Sequence, residues 1–177
     1  MFPLSEATGI AEDLVAPLST VCDKIQIAGS IRRRCVAVRD IDLVLIPRFT
    51  RPNEPGLLGA PQNLLVVRLA QLVDKGLIAM ESNGPKYKRV TYAYADEPVP
   101  VDLYIGTPET WWTLVLVRTG SRVHNLGMAG HAIERHMVLK GDGSGLFSAG
   151  GLPIPVKSEE EIFQILGVPY RAPEERE

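Results

Sequence analysis

The sequence is poor in cysteine and aromatic residues, and it has no long hydrophobic run. Its 177 residues include two cysteines, Cys22 and Cys35, which fit neither a disulfide framework nor a zinc-ligand spacing. The first residues contain no basic segment of the kind that begins a signal peptide, and no apolar stretch approaches the ~20 residues of a membrane span. These absences predict an intracellular protein with reduced thiols, neither secreted nor partnered with a membrane.

The chain carries little net charge, but that charge is unevenly distributed. The total is −2, from 19 basic and 21 acidic residues. Residues 1–158 hold 17 of the basic and 15 of the acidic residues, so the acidic excess lies in 159–177. Binding of nucleic acid depends on local basic patches and not on the average charge, so this balance neither indicates nor excludes such a partner.

Hydrophobic periodicity and breaker residues predict an α+β fold in two lobes. We expect residues 1–107 to form a lobe on a central sheet, mostly antiparallel or mixed, flanked by helices, and 108–177 to form a smaller α+β lobe. A surface loop is expected over the proline-rich residues 47–61. The predicted helices cover 5–24, 31–36, 63–75, 108–119, 123–136 and a capped segment after Ser158, and the predicted strands cover 25–28, 40–46, 77–82, 88–95, 99–105 and a hairpin within 138–147.

Three aspartates are the strongest chemical feature of the sequence. Asp40 and Asp42 lie two positions apart on a predicted strand, so their side chains point to the same face. Two carboxylates placed in this way repel each other unless a cation lies between them. Asp102 lies on another predicted strand, and the three together can form the oxygen-rich pocket that Mg²⁺ prefers. Taken alone, the Asp40–Asp42 pair is equally consistent with a solvated start of a strand.

Gly29 and Ser30 lie between a predicted strand and a predicted helix. Backbone N–H groups at a helix start, next to a hydroxyl and a glycine that permits close approach, can cradle a phosphate. Such a pair alone is typical of an ordinary turn, but its position ten residues before the Asp-x-Asp motif makes the pattern specific. Positive charge within this segment comes from Arg32, Arg33, Arg34 and Arg39.

These motifs, in this order, resemble the family X DNA polymerases, the DNA polymerase beta-like nucleotidyltransferases. The resemblance covers about residues 26 to 176. The Thr-Gly-Ser turn and the Tyr-Arg-x-Pro ending distinguish family X from other nucleotidyltransferases. The segments that carry it are Gly29-Ser30-Ile31-Arg32-Arg33, Asp40-Ile41-Asp42-Leu43, Val101-Asp102-Leu103, Thr119-Gly120-Ser121, His124-Asn125 and Tyr170-Arg171-Ala172-Pro173.

The resemblance implies a nucleotidyltransferase palm over 1–107 and a lobe over 108–177 that binds the nucleotide and the nascent base pair. It implies that two Mg²⁺ ions, for which Mn²⁺ can substitute, are held by the catalytic residues Asp40, Asp42 and Asp102. The nucleoside triphosphate would be bound by Gly29, Ser30, Arg33, Arg39, Gly120, Ser121, Arg122 and Asn125. DNA would be contacted by Lys86, Lys88, Arg89 and His124.

The sequence also departs from the family at positions that matter for selectivity. The Tyr-Phe pair that senses the sugar is Val117-Arg118, so we expect ribonucleotides to be accepted more readily than in relatives with that pair. Where the family has an arginine that contacts the template base and a neighbouring lysine, this sequence has Ala129 and Leu126. Where the family has an arginine two positions before the third aspartate, this sequence has Pro100. Only 28 residues precede Gly29, so the lyase and helix-hairpin-helix domains are expected to be absent, as in reduced, virally encoded members.

The sequence therefore predicts a monomeric, template-directed DNA polymerase that extends a primer or fills a gap. It would act on primer-template or gapped DNA with nucleoside triphosphates, in a cytoplasmic, viral or phage setting. Two other functions remain open. One is a template-independent transferase that adds nucleotides to a nucleic-acid end or a small molecule, and the other is a non-catalytic nucleic-acid-binding module.

Overall fold

The computed structural model describes residues 1–50, 61–94 and 97–177. Residues 1–107 form a five-stranded sheet with helices on its faces. Its elements are β1 (Phe2–Pro3), α1 (Leu4–Ser19), β2 (Cys22–Ile27), α2 (Gly29–Arg32), β3 (Ala37–Val38), β4 (Ile41–Pro47), α3 (Leu64–Asp74), β5 (Ile78–Asn83), β6 (Tyr87–Tyr94) and β7 (Glu97–Ile105). Most of the predicted 47–61 loop lies outside the described residues.

The sheet is mixed, as the sequence predicts. Its strand order is β2-β4-β7-β6-β5, and β4 and β7 are parallel whereas the other neighbours are antiparallel. Strand β4 is apolar on both faces, because Ile41, Leu43 and Leu45 belong to the main core whereas Val44 and Ile46 pack on the opposite side. Such a strand is buried on both faces, which fixes the side chains at its start firmly in place.

Several predicted boundaries differ from the structure. The helix expected over 5–24 ends at Ser19, and β2 begins at Cys22. The helix expected over 31–36 is α2, Gly29–Arg32, because Arg34 adopts a left-handed backbone with a φ of 57° that cannot continue a helix. The strand expected to stop before Pro47 includes that residue, which is the register partner of Cys22. Asp40 itself directly precedes β4.

The second lobe begins with two helices that follow the predicted segments closely. Ser121 and Ser158 cap their helices, since each hydroxyl accepts a hydrogen bond from the backbone three residues ahead. The elements are α4 (Trp111–Thr119), α5 (Arg122–Glu134), the small sheet of β8 (Val138–Leu139), β9 (Leu146–Phe147) and β10 (Pro153–Ile154), α6 (Glu159–Ile165) and a 3₁₀ turn at Pro173–Glu175.

Helix α4 packs the second lobe onto the sheet. Trp111, Leu114 and Val115 form one apolar cluster with Val44 and Ile46 of β4. Trp112 is partly buried against the same cluster, so the two tryptophans at the start of α4 join the lobes. In the described ranges, no helix is long and apolar enough to cross a membrane.

Candidate active site

The parallel pairing of β4 and β7 brings two of the three aspartates side by side. Asp42 is the second residue of β4 and is the register partner of Asp102 in β7, so the two side chains lie on one face of the sheet. Asp40 lies on the same side, just before β4, and is partly exposed. The spacing of the sequence predicts the pairing of Asp40 with Asp42, whereas the strand register supplies Asp102.

The electrostatics of Asp42 show that the three carboxylates act on one another. Burial, together with the charges of Asp40 and Asp102, raises the pKa of Asp42 to about 7. A hydrogen bond from Tyr104 and the charge of Arg118 act in the opposite direction without cancelling this effect. A buried carboxylate that resists ionisation beside two others is stabilised by a bound cation.

Asp102 is held by two neighbours on β6. The Tyr87 hydroxyl donates to Asp102 Oδ1 at 2.7 Å, and Arg89 Nε lies 3.4 Å from the same oxygen. Burial, together with the bond to Asp102, raises the pKa of Tyr87, so its hydroxyl keeps its proton. Arg89 is thus paired with a carboxylate of the site, although it is expected to contact DNA. The alternation of β6 and β7 could have indicated Tyr87 and Tyr104.

The donor set suits a hard divalent cation, because it consists of carboxylate oxygens alone. In the described parts of the chain, however, no three Asp, Glu, His or Cys side chains converge tightly enough to form a finished metal cluster. Asp102 is turned towards Tyr87 and Arg89, which occupy its Oδ1 oxygen. The raised pKa of Asp42 shows that the existing cations do not neutralise the group. The carboxylate oxygens of the three aspartates suit a divalent cation, and the binding of that cation stays a prediction.

Gly29 and Ser30 lie directly against the aspartates. Gly29 has a φ of 57°, and a side-chain carbon there would collide with the carboxylate of Asp42. Only glycine meets both demands, the left-handed backbone and the close approach. The hydroxyl of Ser30 is buried and has no hydrogen-bond partner. A buried hydroxyl without a partner is costly, which is typical of a site that awaits a ligand.

Arg33 joins this pair to the Thr-Gly-Ser turn of the second lobe. Its guanidinium donates to the Thr119 carbonyl, and its Nη1 atom lies 3.0 Å from where a side-chain carbon on Gly120 would stand. Its Nε is buried and has no partner. The Gly120–Ser121 peptide bond is cis. The structure thus brings together four of the residues expected to bind the triphosphate: Gly29, Ser30, Arg33 and Gly120. We call these four residues the cradle.

The other residues expected to bind the nucleotide differ in their exposure and in their hydrogen bonds. Asn125 donates through Nδ2 to the Val117 carbonyl at 2.7 Å, while its Oδ1 is buried without a partner. Arg39 and Arg122 are exposed, the first just before Asp40 and the second at the start of α5. Val117, at the position expected to sense the sugar, is buried.

Arg118 points away from the cradle. Its guanidinium lies 4.1 Å from the ring centre of Tyr104, and Nη2 donates to the Asp142 carbonyl at 3.2 Å. The side chain therefore links β7 to the turn between β8 and β9.

Two residues expected to contact DNA are buried, and these expectations are corrected. The Lys88 ammonium donates to Asn83 and to the Gly84 carbonyl, which holds it inside the β5–β6 turn. His124 packs on Phe163 with ring centres 5.7 Å apart, and burial lowers its pKa to about 4, so it is neutral at physiological pH. Lys86 lies in the β5–β6 turn, just before β6, and is exposed.

A network of charged side chains supports the Thr-Gly-Ser turn. Glu159 at the start of α6 accepts from Arg32 of α2 and from Arg176, and Arg176 Nη1 lies 2.7 Å from Glu159 Oε1. The Arg176 carbonyl accepts from the backbone N–H of Ser121 at 3.0 Å. The sequence singles out Arg32 and Arg176 but does not predict that Glu159 joins them.

Comparison with known proteins identifies the class of this fold. Residues 114–177 match the family model described as DNA polymerase beta thumb. Among solved structures, that of Leishmania infantum polymerase beta in a ternary P/T complex is similar to this chain, with a TM-score of 0.81 and 24% identity over 99% of this chain and 76% of that one. The ternary gap complex of Leishmania infantum polymerase beta gives a TM-score of 0.81 and 23% identity over 99% and 70%.

The chain therefore has the polymerase beta fold, and residues 114–177 are similar to a DNA polymerase beta thumb. The resemblance to family X DNA polymerases is confirmed. The α+β fold class is confirmed as well. The boundary between residues 107 and 108 stays a prediction.

Proposed function

We propose that this chain adds nucleotides to the 3′-hydroxyl of a DNA primer, directed by a template strand, and releases pyrophosphate. The observation that carries the proposal is the contact between the cradle and the carboxylates, because Gly29 lies directly against Asp42. A phosphate-binding turn beside clustered carboxylates fits phosphoryl chemistry, in which the protein mainly positions the reactants and stabilises charge.

Asp40, Asp42 and Asp102 would hold the Mg²⁺ ions, with Mn²⁺ as a substitute. Bound metal would neutralise charge on the triphosphate and make the primer hydroxyl more acidic. Tyr87 and Tyr104 would orient the carboxylates of Asp102 and Asp42, since each tyrosine makes a hydrogen bond to one of them. The sheet fixes both tyrosines, so little reorganisation is needed when the ions bind.

The triphosphate would lie across the cradle. The Ser30 hydroxyl and Arg33 Nε are buried donors without partners, which a phosphate oxygen would satisfy. Arg39 and Arg122 are exposed on either side of the cradle and would add positive charge. Ser121 would act through the turn, because its hydroxyl caps α5.

The DNA partner is supported by the printed descriptions of the similar structures, which are ternary P/T and gap complexes. In this chain the exposed Lys86, in the β5–β6 turn beside the end of β7, would bind the backbone of the DNA strand. We expect the protein to act as a monomer.

One observation favours a second candidate, template-independent nucleotide addition. The exposed face of α5 carries Val123, Leu126 and Ile133, which are 70%, 65% and 69% exposed. None of these three side chains can donate or accept a hydrogen bond, so they cannot read a base edge. Asn125, the nearest amide, already donates to the Val117 carbonyl.

Primer extension distinguishes the candidates. A labelled primer is offered one nucleotide at a time with Mg²⁺, on four one-nucleotide-gapped duplexes that differ only in the template base, and as a single strand. The proposal predicts that the complementary nucleotide is added on each gap, at a rate that exceeds the other three. Addition that ignores the template base would establish the template-independent reaction. DNA binding that is unaffected by Mg²⁺ and nucleotide, without any addition, would leave only a binding module.

A further inference from the structure

A cavity lies beside Tyr87 and Tyr104. It has a volume of about 600 Å³ and is formed by the β5–β6 turn, the end of β7, one face of α4 and the turn between β8 and β9. Within the described residues, neither the three aspartates nor the cradle residues line it. Its size falls within the ~300–1,000 Å³ typical of small-molecule sites.

The cavity wall contains two aromatic rings, tilted 36° to each other, and a guanidinium group. Tyr87 and Tyr104 line it with ring centres 5.4 Å apart, and the Arg118 guanidinium lies on Tyr104 at 4.1 Å. Hydrogen bonds fix these groups, because Tyr87 donates to Asp102 and Arg118 donates to the Asp142 carbonyl. A fixed wall of rings and guanidinium is the surface on which nucleobases stack, whatever their identity.

The rim supplies charge and hydrogen-bonding groups. Lys86 is exposed at the rim, and Ser144 lines the side that faces it across the cavity mouth. The charged lining residues are Lys86, Arg118 and Asp142, so the balance is positive. A planar ligand with one phosphate matches both the wall and this balance.

We propose that the cavity binds one unpaired nucleotide, with its base against Tyr87, Tyr104 and Arg118 and its phosphate near Lys86. The nucleotide is either a free monophosphate or an unpaired unit of a strand held at the carboxylates. Only the second source rests on the proposed function, since the first requires no strand.

Fluorescence of 2-aminopurine tests the proposal, because stacking quenches this base. The deoxynucleoside monophosphate of 2-aminopurine is titrated with the protein in EDTA, which removes the metal that a triphosphate site requires. We expect saturable quenching that Ser144→Phe and Thr107→Phe, which fill the cavity from two sides, weaken about tenfold or more. Ser82→Phe, the same change on the exposed β5 strand, should leave it unchanged, and circular dichroism confirms that each variant is folded.

A lysine pair tests the phosphate. Lys86→Met should weaken binding of the monophosphate but not of the 2-aminopurine nucleoside, whereas Lys75→Met, at an exposed position outside the cavity, should affect neither. The strand source is tested with a primer-template that carries one unpaired 2-aminopurine. Quenching there but not with the free monophosphate identifies the strand as the ligand, and equal quenching identifies the free nucleotide.

Three results would overturn the proposal. The first is no saturable quenching in either arm. The second is quenching that both cavity-filling variants leave intact. The third is quenching that Arg33→Met abolishes while Ser144→Phe does not, since the probe then occupies the cradle. A protein that binds the probe but transfers no nucleotide would contradict the proposed function alone.

Discussion

Asp42 is the residue on which the chemistry and the stability of the site both depend. Its position on a strand buried on both faces removes water, and its two acidic neighbours oppose its charge. Each effect favours the protonated form, so the folded protein binds a proton that the unfolded chain releases. The free energy of unfolding of the metal-free protein therefore depends on pH through this group.

Asp42→Asn should make the metal-free protein more stable at pH 8. The folded pKa of about 7 exceeds the ordinary aspartate value of 3.8, so the wild-type chain keeps the full contribution below the unfolded pKa and loses it as the pH rises through 7. Asparagine has no proton to lose, and we expect the gap to reach on the order of 2–4 kcal/mol at pH 8 and to close near pH 4. Urea unfolding in EDTA at both pH values measures it.

Added Mg²⁺ supplies the complementary measurement. It should raise the unfolding midpoint of the wild-type protein and of Asp74→Asn, an exposed acidic position on α3, but not that of Asp42→Asn. Equal stabilisation of all three proteins would remove the metal from this site.

Sugar selection is a second property argued at the scale of single residues. Val117 is buried and Arg118 is turned towards Tyr104 and Asp142, so no aromatic ring stands at the position expected to sense the sugar. Ribonucleotides should therefore be incorporated with kcat/KM values within about 100-fold of those of deoxynucleotides. Single-nucleotide insertion with matched pairs gives the ratio. A deoxynucleotide preference of many thousand-fold would show that another group excludes the 2′-hydroxyl.

Element by element, the sequence predicts most of the fold because periodicity and breakers act locally. Apolar alternation around Asp42 predicts β4, and helical periodicity that ends at a glycine predicts α3. Helices α5 and α6 each begin after a serine whose hydroxyl accepts a backbone hydrogen bond. The register of β4 on β7 could not be predicted, since it depends on packing between residues about sixty positions apart. Alternation along β6 and β7 indicates which face Tyr87 and Tyr104 occupy, but strand pairing decides which residues they contact.

Buried lysine and histidine are the other failure of sequence reasoning at this scale. Lys88 and His124 are polar residues in a segment that suggests DNA contact, yet one turn and one aromatic ring enclose them. Polar character alone does not report exposure, because buried polar groups are tolerated wherever partners or packing compensate.

The Glu159 network ties helix α6 to α2 and to the C-terminal segment. Glu159→Ala should destabilise the protein by about 3–5 kcal/mol, because it leaves Arg32 and Arg176 buried without their shared carboxylate. Glu160→Ala, at the exposed next position, should cost within about 0.5 kcal/mol. Chemical unfolding at pH 7 measures both, and equal small losses would show that the network contributes little.

The pH dependence of this network has the opposite sign to that of Asp42. Burial acts to raise the pKa of Glu159, but the hydrogen bonds and charges of Arg32 and Arg176 outweigh it, so the pKa lies below its usual value. The stability that this network contributes is therefore present above the ordinary glutamate pKa of 4.5 and is lost as the pH falls through the folded pKa. The wild-type and Glu159→Ala proteins should converge in stability in acid.

At the scale of the whole molecule, the site lies where two lobes meet. The carboxylates and Ser30 belong to the sheet lobe and Gly120 to the second lobe. The Glu159 network connects the two through Arg32, and α4 joins them through the cluster around Trp111. Packing of this kind could be predicted only in outline, from two tryptophans on a predicted helix. The cavity beside Arg118 was beyond prediction because four separate segments form its walls.

Single-turnover insertion is the most direct measurement of the central claim, that the aspartate cluster performs nucleotidyl transfer. Wild-type, Asp42→Asn and Asp74→Asn proteins are mixed with gapped DNA, Mg²⁺ and one labelled complementary nucleotide. Insertion with equimolar pyrophosphate is expected for wild type and Asp74→Asn, and a loss of about 10³-fold or more for Asp42→Asn. Undiminished insertion by Asp42→Asn, or none by the folded wild-type protein, would contradict the claim.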